Sequence, residues 1–214
     1  MTMLPHDRRL SQPIGWLPAV ATGVFVGCLG LALLPRTPQP PPSVPFAVRW
    51  LAGELSDKYW LALVMGGLWV LWQRRPFAAP LALTMLTVQL AVEALKAAVG
   101  EMRPDGRFFN SFPSGHATAS FAFATFMLAL GSRWSWLWVA FAVCVGVSRV
   151  IVNAHWWHDV VGGGALGYLA AAGGYAVWRR WQARRQATTA PEPPLPAATA
   201  QGSAHTGDER RPSP

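Results

Sequence analysis

The sequence predicts an all-α protein, an integral membrane bundle of six transmembrane helices. Three observations carry that expectation. Six long apolar runs divide the 214 residues. Charged residues make up only 13% of the chain, where a soluble domain carries about a quarter. There are 12 tryptophans, a residue that collects at membrane interfaces.

The runs cover residues 16–34, 59–72, 77–99, 116–131, 134–152 and 160–178. The first is followed by "LLPRTPQPPP", which reads as a stiff proline-rich loop rather than a small-residue cleavage site, so the run is taken as a span and not a cleaved signal. The second is short for a crossing and can start earlier if Lys58 snorkels to the surface. The third contains Glu93 three residues before Lys96, a spacing that suits an ion pair. The fourth, also short, follows "PSGH", and the fifth ends just past Ser148 and Arg149. The sixth opens with Gly162, Gly163, Gly164 and Gly167, small residues that permit close helix packing. Cys28 and Cys144 both lie inside apolar runs and read as small core residues without a disulfide or metal role.

This gives a cytoplasmic N-terminal segment over 1–15, a six-helix membrane domain over 16–182 and a disordered cytoplasmic tail over 183–214. The tail is rich in Pro, Ala, Thr and Ser from residue 186 onward and has no apolar periodicity. Six spans place both termini on one side. With cytoplasmic termini, the inner segments carry eleven of the 18 Lys and Arg residues and the outer segments seven, the sense expected of the positive-inside rule. The net charge of +8 therefore reads as topology, not as a nucleic-acid surface, because the arginines come in small clusters between apolar runs.

Three polar groupings fall at the outer ends of the runs: "KAAVGEMRP" from Lys96, "PSGH" from Pro113, and "SRVIVNAHWWHD" from Ser148. The stretch between His116 and Ser148 suffices for two short helical crossings, so all three groupings can meet at one surface. Lys96, Arg103 and Arg149 would repel one another unless an anion lies among them. Ser114 and Gly115 precede a helix, whose free N–H groups favour an anion. Arginine forks fit phosphate oxygens, so a phosphoryl group is the expected occupant. His155 and Asp159 are four apart, on one helical face if the helix runs through them. Asp159 on one ring nitrogen leaves the other as base or nucleophile. His116, from another helix, is placed to give a proton to a leaving group.

In these residues the chain resembles the type 2 phosphatidic acid phosphatase superfamily, which also includes vanadium-dependent haloperoxidases. That family's pattern has three parts. Lysine, six residues and Arg-Pro matches Lys96, Arg103 and Pro104. Pro-Ser-Gly-His matches Pro113, Ser114, Gly115 and His116. Ser-Arg, five residues, His, three residues and Asp matches Ser148, Arg149, His155 and Asp159. The resemblance runs from about Phe77 to Trp178 and is similar to the membrane branch in its six spans. It implies that His155 attacks phosphorus and that Asp159 orients it. His116 would then serve the leaving oxygen and the water, while Lys96, Arg103, Ser114, Gly115 and Arg149 hold the phosphoryl oxygens. It implies no metal and no cofactor.

The function expected is an inner-membrane lipid phosphatase whose active site faces the periplasm or cell exterior, with the bilayer and a lipid as its partners and no nucleic acid. Phosphatidic acid, phosphatidylglycerol phosphate, a polyprenyl diphosphate such as undecaprenyl diphosphate, and phosphorylated lipid A all fit. Two alternatives stay open: a phosphotransferase using the same site, and a non-catalytic lipid-binding or transport protein. A haloperoxidase fits six apolar spans least. The sequence specifies no oligomeric state. Next to the site, His158 has no role in the pattern, and a metal held by His155, His158 and Asp159 is a minor alternative. Glu101, Asp105 and Arg107 read as solvated loop charges, with Arg107 a possible headgroup contact. Trp156 and Trp157 read as interfacial anchors. The short "DGRFFNSF" predicts only a small cap over the pocket, with Phe108 and Phe109 in loop packing or in lipid.

Overall fold

In a computed structural model, which describes residues 15–189, the chain forms six α-helices and, among the described residues, no strand. They are α1 (Leu17–Ala32), α2 (Phe46–Gln73), α3 (Ala78–Val99), α4 (Gly115–Ala129), α5 (Ser135–Ile151) and α6 (Trp157–Thr189), with a 3-10 turn over Arg75–Phe77 between α2 and α3. All six predicted runs become helices. Two differ from their apolar limits. α2 starts at Phe46 and takes Arg49, Glu54, Asp57 and Lys58 into its first turns, where Lys58 pairs with Glu54 one turn back. Hydropathy marks only the apolar part of a helix, while the backbone bonds continue past it.

α6 begins three residues before its apolar run and continues through 183–189. Those seven residues are helix, not the start of the tail. The rest of the predicted tail and most of the N-terminal segment lie outside the described residues.

α4 is the central helix. It packs most extensively against α6, then against α5 and α3, while α1 lies on α6 and α2 on α5. The α4–α6 contact is close because glycines face it. A Cβ on Gly163 would stand 2.8 Å from the Ser114 carbonyl oxygen and from Thr118 Oγ1, and one on Gly167 would strike the α4 backbone at Thr118 and Ala122. The small-residue stripe of α6 thus does what its composition predicts. The apolar centre is built from Val70, Leu81, Phe123, Phe126 and Met127, with Val88, Ala122 and Ala171 beside it.

The outward faces are apolar as well. Val26, Leu51, Met65, Trp72, Leu83, Leu90 and Trp136 are all exposed. Such a surface suits hydrocarbon, not water. The helical segments 75–99 and 157–188 are long and apolar enough to cross a membrane by length and composition; α1 and α5 are apolar but shorter. Cys28 is buried, but Cys144 is exposed on α5, contrary to its expected core position.

The proline-rich segment after α1 reaches the loops at one end of the bundle. Gln39 donates its N–H to the Pro104 carbonyl at 2.8 Å, and Asn153 Nδ2 donates to the Gln39 carbonyl at 3.0 Å. Pro38 packs on Gly106, whose φ of 72° is readily adopted by glycine. The strap therefore ties the α3–α4 loop to the α5–α6 loop.

Candidate active site

That tied end holds the three sequence groupings. α3 stops at Gly100, a left-handed residue (φ 61°) whose N–H donates to the Lys96 carbonyl at 3.1 Å. Lys96 lies in this last turn. Its Nζ is 3.4 Å from Glu93 Oε1 and 3.8 Å from where a Cβ on Gly115 would be. The expected Glu93–Lys96 pair is thus present, and the ammonium stands beside the N-terminus of α4. The loop that follows folds on itself: Arg103 N–H donates to the Phe108 carbonyl at 2.9 Å, and Ser111 N–H to the Glu101 carbonyl at 2.9 Å. The Arg103 guanidinium lies over the Phe108 ring at 5.6 Å. Phe108 and Phe109 themselves are exposed.

Ser114 caps α4 and is buried; its N–H donates to the Asp159 carbonyl at 3.1 Å, joining the starts of α4 and α6. His116 sits in the first turn of α4. Its Nε2 faces the Ser56 carbonyl of α2 at 3.1 Å, so this nitrogen carries the hydrogen, and its ring lies 4.2 Å from that of Tyr59. Ser148 on α5 donates to the Val145 carbonyl and accepts from Ser56 Oγ at 2.9 Å. After Arg149 the chain leaves α5 through Asn153, left-handed at φ 59°, a conformation asparagine tolerates. The Ala154 and His155 N–H groups then donate back to the Arg149 carbonyl at 3.0 and 3.3 Å. One short turn therefore fixes His155 relative to Arg149.

His155 is buried, and its Nδ1–H donates to Asp159 Oδ2 at 3.3 Å. The helix begins only at Trp157, so the pair is not two positions on one helical face. Asp159 instead reaches back from the first turn of α6 to the loop before it. The same Oδ2 accepts from the Trp156 N–H at 2.8 Å and from the Ser111 hydroxyl. Three donors on one oxygen stabilise the carboxylate. Burial holds the His155 imidazole below its ordinary value against the pull of Asp159, and the charges of Arg149 and Arg103 depress it further. The ring is neutral, with Nε2 as its free lone pair.

Around it are three buried donors without a hydrogen-bond partner among the described residues: Arg103 Nε, Arg149 Nε and Ser114 Oγ. Buried donors are rarely left unpaired. Together with Lys96 and the free N–H groups at Gly115 they form a cationic, donor-rich pocket. Such a pocket suits a tetrahedral oxyanion.

Two residues near this site, Glu101 and Trp156, differ from their sequence reading. Glu101 is not a solvated loop charge; it is 5% exposed and accepts from His158 Nε2 at 2.7 Å and from Arg36 Nε at 3.1 Å. His158 is buried too, against Phe112. Trp156 is not an interfacial anchor: it is buried, its indole N–H donates to the Met102 carbonyl at 2.9 Å, and Arg36 lies over its ring. Trp157 is exposed as an anchor would be. Ser111, a donor to Asp159, carried no sequence signal beyond its place in a short loop. The donor atoms of Glu101, His158 and Asp159 lie within 4.8 Å of one another. They are engaged with each other and with Arg36, while His155 faces Asp159 from the opposite side. The metal grouping of His155, His158 and Asp159 considered from sequence is therefore not the one the side chains form.

A stretch of 98 residues is 45% identical to a lipid A 1-phosphatase of Porphyromonas gingivalis, covering 44% of this chain and 22% of that protein. A stretch of 58 residues is 43% identical to an undecaprenyl-diphosphatase of Sulfolobus acidocaldarius, covering 27% of this chain and 28% of the relative. The chain thus spans well under half the length of each. Among solved structures, a transmembrane PAP2 type phosphatidylglycerolphosphate phosphatase from Bacillus subtilis superposes with a TM-score of 0.55 at 21% identity, over 79% of this chain and 97% of that one; this likeness speaks to the fold. The PAP2 superfamily profile matches residues 77–184, which hold the whole donor-rich pocket and the His155–Asp159 pair, and the chain belongs to the PAP2 superfamily.

Proposed function

We propose that the protein is an integral membrane phosphatase that hydrolyses a lipid phosphate or polyprenyl diphosphate through a phosphohistidine on His155. The observation that carries this is the neutral, buried His155, held by Asp159 and facing the orphaned donors of Arg103, Arg149 and Ser114. Binding alone requires no nucleophile.

In the first step His155 Nε2 forms a bond to phosphorus, and the bond from phosphorus to the lipid oxygen breaks. Arg103, Arg149, Lys96, Ser114 and the Gly115 N–H take up the charge on the other phosphoryl oxygens. His116 Nδ1 takes the proton that the monoanionic phosphoryl group brings in and passes it to the departing oxygen. Its Nε2–H stays on the Ser56 carbonyl, which fixes the tautomer left behind. In the second step that neutral Nδ1 takes a proton from water. The water oxygen bonds to phosphorus, the phosphorus–nitrogen bond breaks, and phosphate leaves. Protein cations fill the charge-stabilising role throughout, and the reaction is metal-independent in this reading.

Two features favour a lipid. The outer faces are apolar, and an apolar cavity of about 480 Å³ lies between α2 and α5, lined by Gly66, Trp69, Met127, Trp138 and Phe141. It is not at the chemistry. It lies farther along the same two helices that contribute Ser56, Tyr59 and Arg149, with Trp138 about 16 Å from Arg149 by helical rise. That is the side on which a hydrocarbon tail would hang. The site end lies opposite Arg74, Arg75, Arg133, Arg179 and Arg180, so the positive-inside rule puts those arginines and both termini in the cytoplasm and the site outside.

The test is phosphate release by detergent-purified protein from a panel of lipid phosphates and diphosphates, with excess chelator and with His155→Ala in parallel. Chelator-resistant release that vanishes in the variant is expected. Equal release by the variant would overturn the nucleophile, and no release from any lipid would overturn the hydrolase.

A further inference from the structure

Behind the nucleophile lies a second histidine–carboxylate pair that the reaction above does not use. Asp159 turns Oδ2 toward His155 and Oδ1 toward His158, whose Nε2 is 3.3 Å away. Both close neighbours of His158 Nε2 are carboxyl oxygens, Asp159 Oδ1 and Glu101 Oε1. That nitrogen must therefore carry a hydrogen, which it donates to Glu101 Oε1 at 2.7 Å with Asp159 Oδ1 beside it. Glu101 comes from the α3–α4 loop, His158 and Asp159 from α6, and Arg36 from the segment after α1. All three members of the set are buried, and Glu101 Oε2 and Asp159 Oδ1 have no hydrogen-bond partner among the described residues. Two carboxylates this close in a dry site do not both stay ionised; one proton serves the pair.

Resting on the phosphatase reading, we propose that Glu101 and His158 are positioning residues that act through Asp159: they hold the shared proton away from it, so that Asp159 stays an anion aimed at His155 Nδ1–H.

The surroundings assign the proton to Glu101. Asp159 Oδ2 has three donors, from His155, Ser111 and Trp156. Glu101 has two, and its carboxyl is raised to about 7 by burial, with the hydrogen bond to Asp159 and the Asp159 charge adding to the rise and His158 opposing it. Arg36 Nε also lies 3.1 Å from Glu101 Oε1 but is itself partly open to solvent. The other groups facing the set are the thiol of Cys28 on α1 and His155. The anion beside His155 matters because the ring becomes cationic as its Nε2 bonds to phosphorus. A neutral Asp159 would neither fix the Nδ1–H tautomer nor stabilise that charge.

The experiment compares full-length wild type with Glu101→Ala, Glu101→Gln and His158→Phe, the last keeping a ring against Phe112. Rates are measured against pH, and the His155 tautomer is read from 15N-histidine spectra in detergent micelles, which need no turnover. Glu101→Gln copies the protonated side chain. Above about pH 7 wild type loses the shared proton, and the two adjacent buried anions repel and pull Asp159 out of line with His155; Glu101→Gln carries no such charge and is expected to keep near-wild-type kcat on both sides of pH 7. Glu101→Ala and His158→Phe are expected to lower kcat by roughly 10- to 100-fold, as outer-shell partners of catalytic histidines do at metal sites, with KM little changed and a mixed His155 tautomer. The proposal is overturned if Glu101→Gln reproduces the wild-type pH profile, or if His155 stays a single Nδ1–H tautomer in all variants. Absence of hydrolysis by wild type would sink the phosphatase reading alone, because the spectra still decide whether Glu101 and His158 control His155.

Discussion

Gly163→Ala tests whether the α4–α6 contact sets the geometry of the site. The new Cβ would stand 2.8 Å from the Ser114 carbonyl oxygen and from Thr118 Oγ1. Ordinary contact begins near 3.4 Å, so the two helices must part by about 0.6 Å at this level. The Thr118 hydroxyl cannot simply rotate away without leaving the Ser114 carbonyl, to which it donates at 2.8 Å. Ser114 is backbone-bonded to Asp159 at 3.1 Å, and His116 follows two residues later. The shift is thus delivered to Ser114 and His116 while His155 stays with α5. Misplacement by about 1 Å costs on the order of 10²-fold in rate, so a fall of roughly 10- to 100-fold in kcat is expected, with a stability loss of about 1–3 kcal/mol. The assay is phosphate release under saturating lipid, with thermal unfolding in the same detergent. Gly173→Ala is the control, since a Cβ there meets nothing within 4 Å. Wild-type kcat in Gly163→Ala, or an equal fall in Gly173→Ala, would refute the reasoning.

Asp159→Asn removes the anion and presents an amide to Nδ1; kcat is expected to fall by roughly 10³- to 10⁴-fold with KM nearly constant, by the logic of other histidine–aspartate pairs, as checked by steady-state kinetics. Arg149→Lys keeps a charge but loses the planar fork and the buried Nε. A loss of about 1.5–3 kcal/mol of charge-assisted bonding appears as a drop of roughly 10- to 100-fold in kcat/KM. Glu101 also makes stability depend on pH. Its carboxyl is raised from 4.5 to about 7 in the folded protein, so the folded state binds the proton more tightly than the unfolded one. That contribution is fully present below pH 4.5 and is lost as pH rises through 7. Thermal melts of wild type should therefore decline over this window relative to Glu101→Gln, and parallel melts would refute the assignment.

The six helices were legible because hydropathy over long windows reports burial in lipid directly. Their ends were less so: α2 starts among charged residues, and α6 runs on into a polar segment. Lys96, Arg103, Ser114, His116, Arg149, His155 and Asp159 were legible as three spaced groupings, and the structure brings all three to one end of the bundle. Two details were not. The His155–Asp159 contact is made across a loop-to-helix junction, not along a helical face, because α6 begins after His155. His116 uses Nε2 on a carbonyl of α2, a partner sixty residues away.

The sequence by itself determined the helix count, the order of the charged groupings and the cationic, donor-rich residue types that meet at one end. These depend on hydrophobicity and local spacing, which the chain carries in linear form. Only the tertiary structure decided that Glu101 is buried, that His158 joins it to Asp159, that Trp156 is inside and that Cys144 is out. A loop glutamate reads as solvated from its neighbours in sequence. It becomes buried because the loop folds back under the strap from α1 and against the first turn of α6. That contact joins segments far apart along the chain, and no local pattern encodes it.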